Sequence, residues 1–254
     1  MWANGQLIHG RHPAKLVGWE EHNYSMLRSS AFPDVSVERD FLGPRVDEPA
    51  SLVHKEIVQE GVSKLSEKIK IDWAKFLVSL LHRSPVMMEN IRTEGSKELA
   101  LSLEEAPEEY LELRGDAPEA TLREFTDKYF PDALNDVGAR VLPGLIQSPL
   151  LNGALLKAFW CTRRLEKYQS NLLIGDNPFI YEGKFKTDFL VSLPVTPKIA
   201  FFASNNMNIL GNLFKLEEES FVQRMNRLSI RQADQYVYAT SDQQQSFIKE
   251  HLRK

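Results

Sequence analysis

The stretch Leu172-Leu173-Ile174-Gly175-Asp176-Asn177-Pro178-Phe179 is an apolar run that delivers a carboxylate and an amide to a rigid corner. Beyond the proline, Glu182-Gly183-Lys184 completes a D…E-x-K pattern. In that pattern two carboxylates hold a divalent metal and a lysine assists attack on a phosphodiester. Asp176 would then be metal ligand or general base, with Glu182 as a second ligand. A plainer reading stands beside it. Gly183 sits among polar residues between apolar runs, which is how turns look. Asp176 ahead of Asn177-Pro178 also fits an Asx-turn, its carboxylate accepting a local backbone amide. Three arginines at expected element ends, Arg83, Arg227 and Arg231, could supply anion contacts to such a site.

Other chemistries find less support. The histidines His9, His12, His22, His54, His82 and His251 lack zinc-type spacing, and the single cysteine, Cys161, cannot form an internal disulfide. Within Ala158-Phe159-Trp160-Cys161-Thr162 the thiol reads as belonging to a strand rather than as a nucleophile. No glycine-rich phosphate loop and no G-x-S-x-G elbow occurs. A formal net charge of −4 argues against non-specific nucleic-acid binding by the whole surface, though not by a local patch. Charge is uneven. From Glu94 to Glu119 nine acidic residues face only Lys97 and Arg114, which predicts a solvated face or a mobile connection. Near the C-terminus Arg224, Arg227, Arg231, Lys249, Arg253 and Lys254 outnumber the local acids.

The elements that would position these residues can be read from periodicity. The opening, Gly5 to Leu27, predicts one or two short strands and loops, ended by the breakers Gly43, Pro44 and Pro49. Ser51 then suits an N-cap for a helix that lines up Ile57, Val58, Val62, Leu65 and Ile69. Asp72 suits the cap of a second, in which Trp73, Phe76, Leu77, Leu80 and Leu81 form a core stripe. Arg83-Ser84-Pro85 predicts a restart, with Ser84 as cap and Pro85 at the first helical position. Short helices follow around Leu122–Tyr129, Leu134–Val141 and Leu150–Ala158. After Ala158 the period changes: the runs FWCTRRLE, NLLIGD, DFLVSLPV and KIAFFAS predict an antiparallel sheet. A helix through Phe221, Val222, Met225 and Leu228, a strand DQYVYAT, and a capping-box helix from Ser241 and Gln244 complete the chain. The expected fold is α+β: a mainly helical N-terminal two-thirds with a C-terminal antiparallel sheet and terminal helices. It is taken as one domain over residues 1–254, in which residues 1–49 form short strands and loops, residues 50–158 are helical and residues 159–254 are rich in sheet.

In order, three stretches look familiar: Leu172-Leu173-Ile174-Gly175-Asp176-Asn177-Pro178, Leu193-Pro194-Val195-Thr196-Pro197, and Asn226 followed by Ala233, Val237 and Tyr238. Together with Arg83-Ser84-Pro85 the sequence resembles the bacterial domain-of-unknown-function 4238 family from about Gly5 onward. The resemblance carries no established activity. It implies that Asp176, Asn177, Asn226 and Tyr238 matter more than Glu182 and Lys184, which fall outside the pattern. It also implies a His-Tyr-Val-Pro-like strand ahead of this sequence's first residues.

Two classes of function follow. One is an enzyme or ligand-binding domain with a polar site at Asp176-Asn177, acting on a phosphate-bearing or nucleic-acid substrate. Asp176, Asn177 and Asn226 would be its catalytic residues, Arg83, Arg227, Arg231 and Tyr238 its binding residues, and a divalent metal at Asp176 and Glu182 its cofactor. The other is a non-enzymatic interaction module in which Asp176-Asn177 braces a turn and the segment from Glu94 to Glu119 meets a protein partner. No run approaches the ~18 apolar residues of a membrane span, and no secretory signal is visible, so a cytoplasmic protein is expected.

Overall fold

In the computed structural model the described residues are 2–3, 6–7, 10–11, 23–26, 33–105, 107–166 and 170–252. They fall into two compact units. One takes its residues from 1–19, 46–84 and 147–254, the other from 20–45 and 85–146. The fold is α+β, and no helix among the described residues is long and apolar enough to cross a membrane. His9, His12, His22, Arg253 and Lys254 lie outside the described residues.

The first unit is built on a four-stranded antiparallel sheet, β3 (Phe159–Arg164), β5 (Ile180–Gly183), β6 (Phe189–Thr196) and β7 (Ile199–Ser204), in the order β3-β7-β6-β5. A two-residue hairpin, β1 (Trp2–Ala3) with β2 (Gln6–Leu7), stands apart at the N-terminus. Strand residues alternate between faces. Val191, Leu193, Phe201 and Ala203 pack with Ile57 of α1 (Glu48–Glu60), Trp73 and Leu77 of α2 (Glu67–His82) and Leu155 of α7 (Pro149–Leu156). Leu190, Ala200 and Phe202 pack on the opposite side with Leu210 and Leu213 of α8 (Met207–Lys215) and Phe221, Val222 and Met225 of α9 (Glu218–Gln232). Helices on both faces explain why β6 and β7 read as continuous apolar runs. The stripe on α2 is core, as its spacing predicts. Trp73 meets Phe201 edge-on at 5.8 Å between ring centroids.

The helix starts differ from expectation. The breaker cluster at Gly43 and Pro44 does not end the opening segment; it lies inside a π-helical stretch, Val37–Asp47, that runs into α1. Phe41, Leu42 and Val46 are buried there, and burial outweighs local propensity. Pro49, not Ser51, marks the first turn of α1, where a missing amide donor is harmless. Gly61 at φ 75° then stops the helix, so Val62, Leu65 and Ile69 do not continue it. Ser66 rather than Asp72 precedes α2, and Asp72 falls inside that helix. The restart after Arg83 holds: Arg83 closes α2 and Pro85 opens the next helix.

The second unit consists of α3 (Pro85–Glu105), α4 (Pro107–Leu113), α5 (Leu122–Tyr129) and α6 (Ala133–Ile146), joined by the bridge between Met26 and Asp34 and the π-helical segment's beginning. The segment from Glu94 to Glu119 is therefore largely helix, not a mobile connection. Glu119 departs furthest from the solvated-face reading. It is buried, bonded to Lys128, and the lysine holds its carboxyl below the usual carboxylate range. At Gly138 an added Cβ would strike the Arg92 side chain at 2.5 Å, so this glycine allows α6 and α3 to approach closely.

Candidate functional site

The stretch around Asp176 is less of a strand than its composition suggests. Only β4 (Ile174–Gly175) is regular, and it pairs not with the main sheet but with β8 (Val237–Tyr238), which follows α9. What the segment lacks in strand partners, side chains supply. Asn226 and Ser229 lie one helical turn apart on the buried face of α9. The Asn226 Oδ1 accepts from the Leu173 amide at 2.8 Å, while its Nδ2 donates to the Asn171 carbonyl at 3.0 Å. Ser229 Oγ donates to the Leu173 carbonyl at 3.0 Å. Both backbone groups of Leu173 are thus satisfied by one helix face, which is how a buried extended segment avoids unpaired polar groups.

Gly175 is needed because α9 comes so near. A Cβ there would stand 2.9 Å from the Ala233 Cβ and 3.1 Å from the Ser229 carbonyl oxygen. Directly after it the Asp176 amide donates to the Tyr236 carbonyl at 3.0 Å. The carboxylate turns the same way. Oδ1 accepts from the Asp234 amide at 2.8 Å, and Oδ2 from the amides of Gln235 and Tyr236 at 2.8 and 3.0 Å. Three consecutive backbone donors converge on one carboxylate, across the loop that links α9 to β8. The partners are not the local amides of an Asx-turn but lie some sixty residues on.

That bracing gathers a second acid. Asp234, although solvent-exposed as a residue, hydrogen-bonds with Ser84 and Asn177, which favour its ionised form; partial desolvation of the carboxyl, aided by the charge of Asp176, outweighs them and pushes it up. Tyr238 lies close enough for Asp176 to affect it, and burial first, then that charge, raises its phenol. Its hydroxyl is buried with no hydrogen-bond partner among the described residues, and its ring stacks on Tyr236 at 6.3 Å. Arg83, the residue before Ser84 at the end of α2, holds Asp47 in a two-pronged ion pair at 2.6 and 3.1 Å.

The family described as "Protein of unknown function (DUF4238)" matches residues 6–243. The chain belongs to it. No curated protein and no solved structure matches. The stretches that carry the DUF4238 resemblance turn out to bond to one another: Asp176 to the loop before Val237, Asn226 to the segment before Gly175, and Ser84 with Asn177 to Asp234. Leu193-Pro194-Val195-Thr196-Pro197 contributes as well. A register shift between Pro194 and Thr196 in β6 turns the Val195 carbonyl to His54 Nε2 at 2.7 Å, and the Pro197 carbonyl accepts from the Leu172 amide at 2.8 Å. Because a carbonyl only accepts, that His54 nitrogen carries the proton.

Glu182 and Lys184 stand elsewhere in the DUF4238 fold. Gly183, at φ 90°, makes the turn from β5 towards β6, and the Lys184 amide donates to Asp188 at 3.0 Å. Glu182 is held by Arg224 of α9, both carboxylate oxygens at 3.0 Å from one guanidinium nitrogen. The structure thus sends Asp176 and Glu182 to different partners. Among the described residues no group of three or more His, Cys, Asp or Glu side chains is placed to hold a metal. Arg227 and Arg231 are exposed on the last turns of α9, with no ion-pair partner among the described residues. Cations at a helix C-terminus also steady the helix itself. Missed from sequence were Asp234 and Ser229, and Ser84 was read only as a helix cap. Ser229 carries a legible signal, since it follows Asn226 at helical spacing; Asp234 does not.

Proposed function

We propose that the protein is a non-enzymatic interaction module in which Asp176 and Asn177 are frame residues, and in which the segment from Glu94 to Glu119 meets a protein partner. One observation carries the reading: the carboxylate of Asp176 is engaged by the successive amides of Asp234, Gln235 and Tyr236. A carboxylate so occupied is poorly suited to bind a metal, because coordination would give up charge-assisted bonds to the backbone. The helical Glu94–Glu119 segment supports the partner role through exposed Leu101, Leu111 and Leu113. A cytoplasmic location suits such a module.

A second reading keeps the polar cluster as a site for a phosphate-bearing or nucleic-acid ligand, with hydrolysis as the reaction class. It is favoured by the raised carboxyl of Asp234, since perturbed acids gather at functional sites, and by exposed Arg227 and Arg231. Calorimetric titration with Mg²⁺ and Mn²⁺, joined to a nuclease and phosphatase screen, separates the two. The module reading predicts no metal-binding heat and no turnover. Turnover abolished by Asp176→Ala in a variant that melts like the wild type would sink it.

A further inference from the structure

We propose that the leucine and aromatic surface at α4 and α5 docks a cationic amphipathic helix of a partner protein, an inference that rests on the interaction-module reading. Helix α4 buries one large side chain. Tyr110 meets the Phe125 ring at 6.0 Å, and its hydroxyl donates to the Glu119 carbonyl at 3.0 Å. Around this anchor the apolar groups face outward: Leu111 is 53% exposed and Leu113 85%. On the neighbouring helix the same Phe125 ring touches Tyr129 at 4.7 Å and Phe130 at 6.3 Å, and these two are 48% and 58% exposed. The rings are linked in this way, while Leu111 and Leu113, two residues apart, stand exposed on either flank of Tyr110; exposed linked aromatics mark contact surfaces and are the usual anchors of binding.

The charges say what covers it. The cations nearby are already engaged: Lys128 with Glu119, Arg123 with Asp127 at 2.9 Å, and Arg114 with the Glu119 carbonyl at 3.3 Å. Glu108, Glu109 and Glu112 are exposed and have no cation partner among the described residues. A partner must therefore bring leucine-like groups flanked by lysine or arginine, the pattern of a basic amphipathic helix. An anionic lipid surface or a nucleic acid would be repelled. A symmetric contact between two copies would set the same glutamates against each other.

The test uses the full chain and a fluorescent helical peptide of leucine and lysine at amphipathic spacing, followed by anisotropy. Binding is expected at low salt and should weaken as salt screens the charges. Leu111→Ser with Leu113→Ser should weaken it about tenfold or more, which is ~1.4 kcal/mol. Glu108→Gln with Glu109→Gln and Glu112→Gln should act likewise, and a peptide with glutamate in place of lysine should not bind. Binding that survives the double leucine variant, equal binding of a leucine-free polylysine, no binding at all, or a dimer formed through this face would each overturn the proposal. Binding lost instead on Glu94→Gln with Glu98→Gln would overturn this site while leaving the interaction reading standing. Metal-dependent turnover would overturn that reading whatever the peptide did.

Discussion

Gly175 and Asp176 show how adjacent residues can matter for opposite reasons, one for what it lacks and one for what it accepts. Gly175→Ala places a methyl group within 3.2 Å of the Ala233 Cα and closer still to its Cβ. Overpacking of this kind costs about 1–3 kcal/mol, and a thermal melt should show it; an unchanged midpoint would mean that α9 yields. The glycine was legible in the sequence as one residue of a corner, but its reason was not, since the helix that crowds it begins more than forty residues later. Cys161 is a milder case. In β3, burial pushes its thiol up to about 12, so at pH 8 little of it is the thiolate that reacts. Iodoacetamide should leave the native protein unlabelled and label it fully in denaturant. Rapid labelling of the native form would contradict the burial.

At the scale of elements, the core stripe of α2 was legible, because a stripe at helical spacing reports directly on which face is buried, although the helix opens at Glu67 and not after Asp72. Worst read was the run Asn171 to Asp176. Its composition is that of a strand, yet its backbone is completed by Asn226 and Ser229 of a helix and by Asp176's own partners. Long-range side-chain bonds leave no periodic trace. The same holds for Gln244, read as half of a capping box, which instead donates to the Asn171 carbonyl at 2.5 Å. Asn226 offers the sharpest element-level prediction. Asn226→Ala strands a buried amide and removes a donor from the Asn171 carbonyl, a loss on the order of 2–4 kcal/mol. Asn226→Asp keeps the acceptor for Leu173 but sets carboxylate oxygen against carbonyl oxygen, so it should melt no higher than the alanine variant. A stable aspartate variant would refute this pairing of roles.

For the whole molecule, α+β was legible because periods of 3.6 and 2 segregate along the chain. The interleaving of two units was not, because it depends on which segments return to pack together. Nor was Asp234, which gains its environment only when Ser84, Asn177 and Asp176 assemble around it. Its raised carboxyl gives a pH dependence with a definite sign. A carboxyl raised in the folded state adds stability that is full below its unfolded value near 3.8 and is lost as pH rises through the raised value. Asp234→Asn should therefore gain on the wild type as pH rises through that window and lose the advantage in acid; the reverse trend would show that the hydrogen bonds from Ser84 and Asn177 dominate. Asp176 holds the loop from α9 to β8. Hydrogen exchange of the amides of Asp234, Gln235 and Tyr236, followed by NMR in the wild type and in Asp176→Ala, tests it most directly. Those three amides should lose protection selectively while the amides of β6 and β7 keep theirs, with a fall in stability of about 2 kcal/mol. Equal protection and equal stability in the two proteins would contradict it.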